Sequence, residues 1–233
     1  MNKTKSLFFP VLLTAFLLVG CKGANITPEK AAERAQEIET KVASDDYESP
    51  TKFPLKQELR TNALTEDTMI AKGVANFDLD AKYFYVETST ETGDESEYEK
   101  AWVYYDAKKD TTYTVFDENG EKSHVTFEGN TFSDLTEFAS IHEAIGSLNL
   151  SALLALADED DNRNVYRSAG EGSIYLKIYT GGTDSDAYGE VEISNYRPIH
   201  VKQYNDADNF IDMSVKYSGV STAKPNLTDY PSA

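Results

Sequence analysis

Three histidines, one cysteine and several acidic clusters are the side chains of this sequence that could do chemistry. The run that begins at His142 reads His-Glu-Ala-Ile-Gly, which starts like the zinc-protease helix motif His-Glu-x-x-His. Gly146 stands where the second zinc-binding histidine is required, so the motif fails. His124 and His200 are isolated in sequence, and neither a G-x-S-x-G nucleophile elbow nor a glycine-rich phosphate loop is present. The sequence therefore predicts no enzyme, no metal site and no cofactor.

The acidic stretch around residue 160 has part of the spacing of a calcium loop. Asp158, Asp160 and Asn162 match the first three alternate ligands of such a loop. Arg163 occupies the position that requires glycine, and Ala169 the position of the closing glutamate. We therefore interpret this stretch as the end of a helix with solvated charge.

The only cysteine, Cys21, follows a short apolar run near the amino terminus. Lys3 and Lys5 precede an apolar segment from about 7 to 19, and this order of charge, apolar run and small residue is typical of a secretory signal. A membrane-spanning helix needs roughly 20 apolar residues, which this segment does not provide. Residues 1–20 are therefore predicted to be a signal peptide.

The residues Leu18-Val19-Gly20-Cys21 resemble the lipobox of bacterial lipoproteins. The resemblance implies cleavage between Gly20 and Cys21, and a diacylglyceryl group on the Cys21 sulfur, with palmitate-type acyl chains as the membrane anchor. Residues 21–26 would then be a lipidated tether, and the protein would lie outside the cytoplasm at a bacterial membrane. The alternative is a plain signal peptide with an incidental cysteine at its end.

The composition describes an ordinary globular chain with a strongly acidic surface. Of all residues, 40% are hydrophobic and 27% charged, and no second cysteine is available for a disulfide. Without the signal peptide, 20 basic and 40 acidic residues remain, a formal charge of −20. A surface of that sign repels phosphate backbones, so nucleic acid is excluded as an expected partner.

The hydrophobic periodicity predicts one α+β domain over residues 27–221, followed by a loose tail over 222–233. A helix is expected from Thr27-Pro28-Glu29 to about 43, because these residue types cap and open helices. Alternating patterns then predict six strands that form a meander, near 55–64, 68–79, 82–91, 98–107, 111–117 and 121–128. The Asn119-Gly120 pair marks one hairpin turn, and Thr92-Gly93-Asp94 another.

Two helical segments are expected between this meander and a second group of strands. The first follows a capping box at Thr131–Asp134. The second, 148–157, is apolar nearly all round and is therefore expected to be buried on every side. Four further strands are predicted near 172–180, 187–195, 199–205 and 210–218, with a short one near Val165.

This order of elements resembles the periplasmic lipoprotein-carrier and mycobacterial lipoprotein superfamily. The resemblance spans most of residues 28–218 and ends in the run Tyr196-Arg197-Pro198-Ile199-His200-Val201-Lys202-Gln203-Tyr204. It implies an α+β fold in which a strongly curved antiparallel sheet of about ten strands, an incomplete barrel, wraps around helices and leaves a cavity for acyl chains. The N-terminal helix and the middle helical pair would cover the sheet.

We accordingly expect a membrane-anchored, non-enzymatic lipoprotein that holds a lipid or another hydrophobic ligand between sheet and helices. The residues expected to line that ligand or to cover the core are Leu148, Leu150, Leu153, Leu154 and Leu156. The alternative is a structural or interaction module of the cell surface without a cavity, for which rows among the 15 tyrosines could contact a glycan or a protein. A hydrolase with a dispersed site would need a histidine beside both a carboxylate and a serine.

Overall fold

The computed structural model describes residues 23–61, 68–134, 148–158 and 160–232. Within these ranges the strands are β1 (Ala24–Asn25), β2 (Lys52–Thr61), β3 (Met69–Asp78), β4 (Tyr83–Thr92), β5 (Glu95–Asp106), β6 (Thr111–Glu118), β7 (Glu121–Glu128), β8 (Val165–Gly170), β9 (Ser173–Tyr179), β10 (Tyr188–Ser194), β11 (Arg197–Asp206) and β12 (Asn209–Val215). All twelve belong to one antiparallel sheet of order β1-β8-β9-β10-β11-β12-β2-β3-β4-β5-β6-β7, which is not closed.

The sheet consists of two meanders that meet where β12 pairs with β2. Short turns join successive strands within each meander and force them to run antiparallel. The Asn119–Gly120 turn is confirmed, since both residues have positive φ, as a two-residue hairpin turn of type I′ requires. An antiparallel α+β fold is likewise confirmed, with twelve strands where about ten were expected, because β1 and β8 add to the count.

Of the three predicted helices, the first is confirmed, the last is shorter than predicted, and the middle one lies mostly outside the described residues. Helix α1 spans Pro28–Val42 and is capped by Thr27, whose hydroxyl oxygen accepts from the Lys30 N–H, as expected. Helix α2 spans only Leu150–Leu154, so the helix expected over 148–157 is wrong in its length. The first predicted middle helix begins with a single 3-10 turn at Phe132–Asp134, and its remainder, 135–147, lies outside the described residues. None of the described helices combines the length and apolarity needed to span a bilayer.

One face of the sheet, here called the helix face, carries two apolar clusters. Paired residues of antiparallel strands point to the same side, so Leu55 beside Val215 and Val191 beside Leu176 define a continuous face. The first cluster joins α1 and α2 to β9 and β10, and the small side chains of Ala31 and Ala35 let α1 lie close to the strands. It comprises Ala31, Ala35, Ile38, Leu150, Ile174, Leu176, Ile178, Val191 and Ile193. The second cluster, on the other meander, comprises Phe53, Leu55, Ala75, Phe77, Phe84, Val103, Phe132 and Val215.

The tether expected over residues 21–26 is shorter in the structure, because part of it belongs to a strand. Ala24 and Asn25 form β1, which pairs with Ser168 and Arg167 of β8. Gly23 lies so close to β8 that a Cβ at this residue would be 2.1 Å from the Ser168 carbonyl carbon, and its φ is +78°. Glycine is therefore required there, and the expectation of a tether through residue 26 is wrong for residues 24–25, because their backbone is paired.

The carboxyl-terminal segment is attached to the sheet at Ala223, Leu227, Tyr230 and Pro231, contrary to the expected loose tail over 222–233. It lies on the face opposite the helices, here called the tyrosine face, where Tyr83, Tyr104, Tyr113 and Val115 form a cluster with Tyr230. The Tyr83 hydroxyl donates to the Ala223 carbonyl at 2.7 Å, and the His124 N–H donates to the Pro231 carbonyl at 2.9 Å. The tail contains Pro225 and Pro231, from which the sequence predicts a loose end. Its aromatic side chain Tyr230 is nevertheless buried, with 8% of its surface exposed.

We expect Tyr230→Ala to lower the free energy of unfolding by about 3 kcal/mol, because it empties a buried aromatic site. The Tyr230 ring meets the edge of Trp102 at 5.9 Å, and Trp102 is the only tryptophan of the chain. Its fluorescence emission should therefore shift to the red in this variant as water reaches the indole, and denaturant unfolding gives the stability. Tyr98→Ala removes a tyrosine that is 38% exposed and should leave the emission unchanged. Equal effects of both substitutions would contradict the packed tail.

Candidate functional site

An apolar cavity of about 430 Å³ lies between α1, the segment that leads into α2, and the adjoining ends of β10 and β11. Helix α1 contributes Ile38 and Val42 to its wall, because these residues lie one helical turn apart on the side facing the sheet. The rest of the lining comes from the strands and the α2 segment: Leu148, Leu150, Ile193 and Pro198, with Glu39, Ala43, Tyr47, Asn149 and Tyr196.

The polar groups of the cavity wall are bonded within the protein. Both carboxylate oxygens of Glu39 accept hydrogen bonds from Ser151, one from its N–H at 2.8 Å and one from its hydroxyl at 2.6 Å. The Asn149 side-chain oxygen accepts from the Ala152 N–H at 2.7 Å, and the Tyr47 hydroxyl donates to the Tyr196 carbonyl at 3.0 Å. An apolar molecule could therefore occupy the cavity without leaving these groups unpaired.

The structure brings only two of the five predicted leucines to this cavity. Leu148 and Leu150 line it, and Leu150 is also part of the first core cluster. Leu153 and Leu154 are half-buried against that cluster, with a Leu153 methyl group close above Gly189. Leu156 is 61% exposed, so the expectation that this segment is buried on every side is wrong. The helix ends at Leu154, and the following turn directs Leu156 away from the core.

Sequence reasoning missed Tyr196, which lies at the hairpin turn between β10 and β11. Asn195 and Tyr196 have φ of +50° and +59°, the geometry for which Asn-Gly is preferred. A tyrosine there costs about 1 to 2 kcal/mol of backbone strain. Its ring lies against Gly172, where a Cβ would come within 2.7 Å of two ring carbons. An Asn followed by a bulky residue between two strand patterns is the signal that could have identified it.

The Tyr196 hydroxyl is held outside the cavity by two carboxylates. It donates to Glu171 at 2.9 Å and lies 3.4 Å from Glu37. The hydrogen bond to Glu171 raises the pKa of this hydroxyl to about 12. These residues belong to an open polar depression, here the α1 depression, which is lined by Glu33, Arg34, Gln36, Glu37, Thr40, Lys41, Ser44, Asp46, Glu171 and Tyr196. Arg34 and Lys41 form ion pairs there with Glu37 and Asp46.

A second feature is a row of aromatic rings on the tyrosine face of the other meander. Tyr179, Tyr188, Tyr204 and Phe210 stand side by side on four neighbouring strands. The ring centroids of Tyr179 and Tyr188 are 5.7 Å apart, and those of Tyr188 and Tyr204 are 5.0 Å apart and nearly parallel. Tyr188 and Tyr204 are therefore stacked, whereas the ring planes of Tyr179 and Tyr188 are tilted by 51°.

Cations border this aromatic row, which is unusual in so acidic a chain. The Lys177 ammonium lies 3.8 Å from the centroid of Tyr188, and the Arg163 guanidinium 4.3 Å from that of Tyr179. Lys202 and Arg60 lie 5.0 and 5.5 Å from the centroid of Phe210. These distances are within the range of cation–π attraction. Arg163 and Lys202 are also paired with Asp161 and Asp212, so part of this positive charge is neutralised.

The histidines are not assembled into a catalytic site among the described residues. His200 Nε2 lies 2.9 Å from an Asp212 carboxylate oxygen and its Nδ1 3.7 Å from Glu190, but within the described ranges it has no hydrogen bond to a serine. His124 Nδ1 lies 2.6 Å from the Tyr230 carbonyl oxygen. His142 lies outside the described residues. Among the residues that the structure describes, no group of three or more His, Cys, Asp or Glu side chains could hold a metal ion.

In the acidic stretch around residue 160, Arg163 connects two loops by hydrogen bonds. The Arg163 guanidinium and the Arg163 backbone N–H donate to the buried carboxylate of Asp161 and hold the pKa of that carboxyl below its usual range. The same guanidinium donates to the carbonyls of Gly182 and Ser185 at 2.9 Å each. The residue at the glycine position of the calcium pattern therefore neutralises the one buried acid of the described part of this stretch.

Comparison with known proteins adds no relative to these observations. No protein-family model matches the chain, and no curated protein matches it at a significant level. The site must accordingly be interpreted from its own geometry.

Proposed function

We propose that this protein is a membrane-anchored lipoprotein that acts outside the cytoplasm and binds a lipid or another hydrophobic ligand between its sheet and helices, without catalysing a reaction. The observation that carries this proposal is the apolar cavity of about 430 Å³ beside α1. Its volume lies within the range of about 300 to 1,000 Å³ that is typical of small-molecule sites. The finer architecture, a strongly curved sheet that forms an incomplete barrel around this cavity, belongs to the same proposal.

The volume favours a single acyl chain over a pair of chains. If one methylene group occupies about 30 Å³, the share of one molecule in liquid water, the cavity holds roughly fourteen of them. Each buried methylene contributes about 0.8 kcal/mol to binding, so a chain of that length supplies ample driving force. The internally bonded polar groups of the wall select against a polar occupant, which would compete for partners that are already taken.

Lipid analysis of the purified protein tests the proposal. The chain should be produced from residue 22 onward without Cys21, so that no covalent lipid is present, and purified without detergent. We expect organic extraction followed by mass spectrometry to yield one chain-bearing lipid per protein molecule. Lipid-free protein that also takes up no added lipid would contradict the proposal.

The aromatic row favours a second candidate, an interaction module of the cell surface. The tyrosine rings of this row, with Lys177 and Arg60 beside them, suit a glycan or a protein surface, whereas Arg163 and Lys202 are already paired with Asp161 and Asp212. A lipid-free protein in the extraction experiment would favour this second candidate, because an interaction module does not need a cavity. A hydrolase finds less support, since among the described residues neither His200 nor His124 has a hydrogen bond to a serine side chain.

A further inference from the structure

The only residue that lines both the cavity and the α1 depression, among the pockets of the described residues, is Tyr196. The cavity reaches α1 at Ile38, Glu39, Val42 and Ala43, whereas the depression is lined by helix residues such as Glu33, Glu37 and Lys41. These two sets lie on different sides of the helix, because α-helical positions advance by 100° per residue. The Tyr196 side chain therefore stands between an apolar space and a polar, open one.

Four contacts hold Tyr196 in place. Its hydroxyl donates to Glu171, its ring lies against the buried Gly172, and its backbone carbonyl accepts a hydrogen bond from the Tyr47 hydroxyl. Its N–H also donates to the Gly172 carbonyl at 2.8 Å. A bulky residue at positive φ persists only where its surroundings fix it, and such strain concentrates at functional positions. Glycine would satisfy this turn with less strain, so the ring itself must account for the presence of tyrosine.

We propose that Tyr196 determines ligand specificity by closing the side of the cavity that faces the α1 depression, and so limits the length of the apolar chain that can be bound. This inference rests on the proposed function, since it concerns the same cavity. It assigns a role that the predicted leucines do not have, because Leu148 and Leu150 form another wall and the other three do not line the cavity. The limit in the unaltered protein should fall near fourteen carbons, the chain that fills about 430 Å³.

The test compares the chain-length dependence of binding in Tyr196→Gly and Tyr196→Phe with that of the unaltered protein. Tyr196→Gly removes the ring and relieves the positive φ, so the hairpin should still form. Tyr196→Phe keeps the ring and loses only the hydroxyl. Monoacylglycerols of 12, 14, 16 and 18 carbons are the probes, because they carry no charge, and native mass spectrometry measures their competition for the protein.

We expect the unaltered protein and Tyr196→Phe to bind the 14-carbon probe best. Tyr196→Gly should bind the 18-carbon probe at least about tenfold more tightly than the unaltered protein does, since a few additional buried methylenes at roughly fourfold each suffice. The same length limit in all three proteins, with binding intact, would overturn the role of Tyr196 and leave the proposed function standing. Binding of no probe by any of them would instead contradict the proposed function itself.

Discussion

Replacing Cys21 by serine should release this protein from the membrane completely. The proposed anchor is a thioether to diacylglycerol, and a serine hydroxyl cannot take the place of the thiol in that linkage. Two or three acyl chains hold a protein stably at a bilayer, whereas none of the described helices could span it. Metabolic labelling with radioactive palmitate should therefore show no incorporation in Cys21→Ser, and fractionation should place the variant outside the membrane pellet.

Lys22→Ser provides the matched control for this experiment. It changes the neighbouring residue and leaves Leu18-Val19-Gly20-Cys21 intact, so labelling and attachment should persist. If Cys21→Ser stayed in the membrane fraction at the level of the control, the cysteine would be incidental. The alternative of a plain signal peptide would then stand.

Val42→Phe should abolish binding of a hydrophobic ligand while leaving the fold intact. Val42 lies half-buried in the last turn of α1 and lines the cavity, so a phenyl ring at this position would extend into the empty space. Filling a cavity commonly stabilises a protein by about 0.5 to 2 kcal/mol, whereas a ligand would have to displace the ring. We expect affinity for a 14-carbon monoacylglycerol to fall at least about tenfold, with no loss in the free energy of unfolding.

Ala32→Phe is the control on the same helix. Ala32 is exposed and lines none of the pockets of the described residues, so the added ring should change neither binding nor stability by much. Unchanged binding in Val42→Phe would show that the ligand does not occupy this cavity. Equal loss in both variants would indicate a general effect of the aromatic ring.

Local features of the fold could be predicted because they depend on a few adjacent residues. Thr27 and Pro28 fix the start of α1, and Asn119–Gly120 fixes a hairpin, through backbone geometry that neighbours alone determine. The pairing of β12 with β2, which joins the two meanders, depends on residues about 150 positions apart and leaves no local pattern. The position of the cavity follows from that long-range assembly, so the sequence could supply only its candidate leucines.

The wrong predictions for Leu156 and for the tail have the same physical origin: tertiary contacts, and not local composition, decide whether these residues are buried. Leu156 belongs to an apolar run, but the helix ends before it and leaves it exposed. The tail has the prolines of a loose segment, but Tyr230 finds an aromatic site that exists only after β4, β5 and β6 have assembled. Tyr196 was missed for a related reason: the Asn-Tyr pair could have indicated a hairpin turn, but the contacts of its ring depend on Gly172 and Glu171, which are distant in sequence.

The pairing of β1 with β8 limits the length of any tether between Cys21 and the folded domain. Ala24 is already part of the sheet, so only residues 22 and 23, a span of about 10 Å of extended chain, separate Cys21 from the first strand. If Cys21 carries the proposed lipid, the folded domain would stay at the membrane surface and could not carry a ligand across a wide aqueous gap. A lipid that enters the cavity would then have to come from the adjacent leaflet or from a donor protein that reaches this surface.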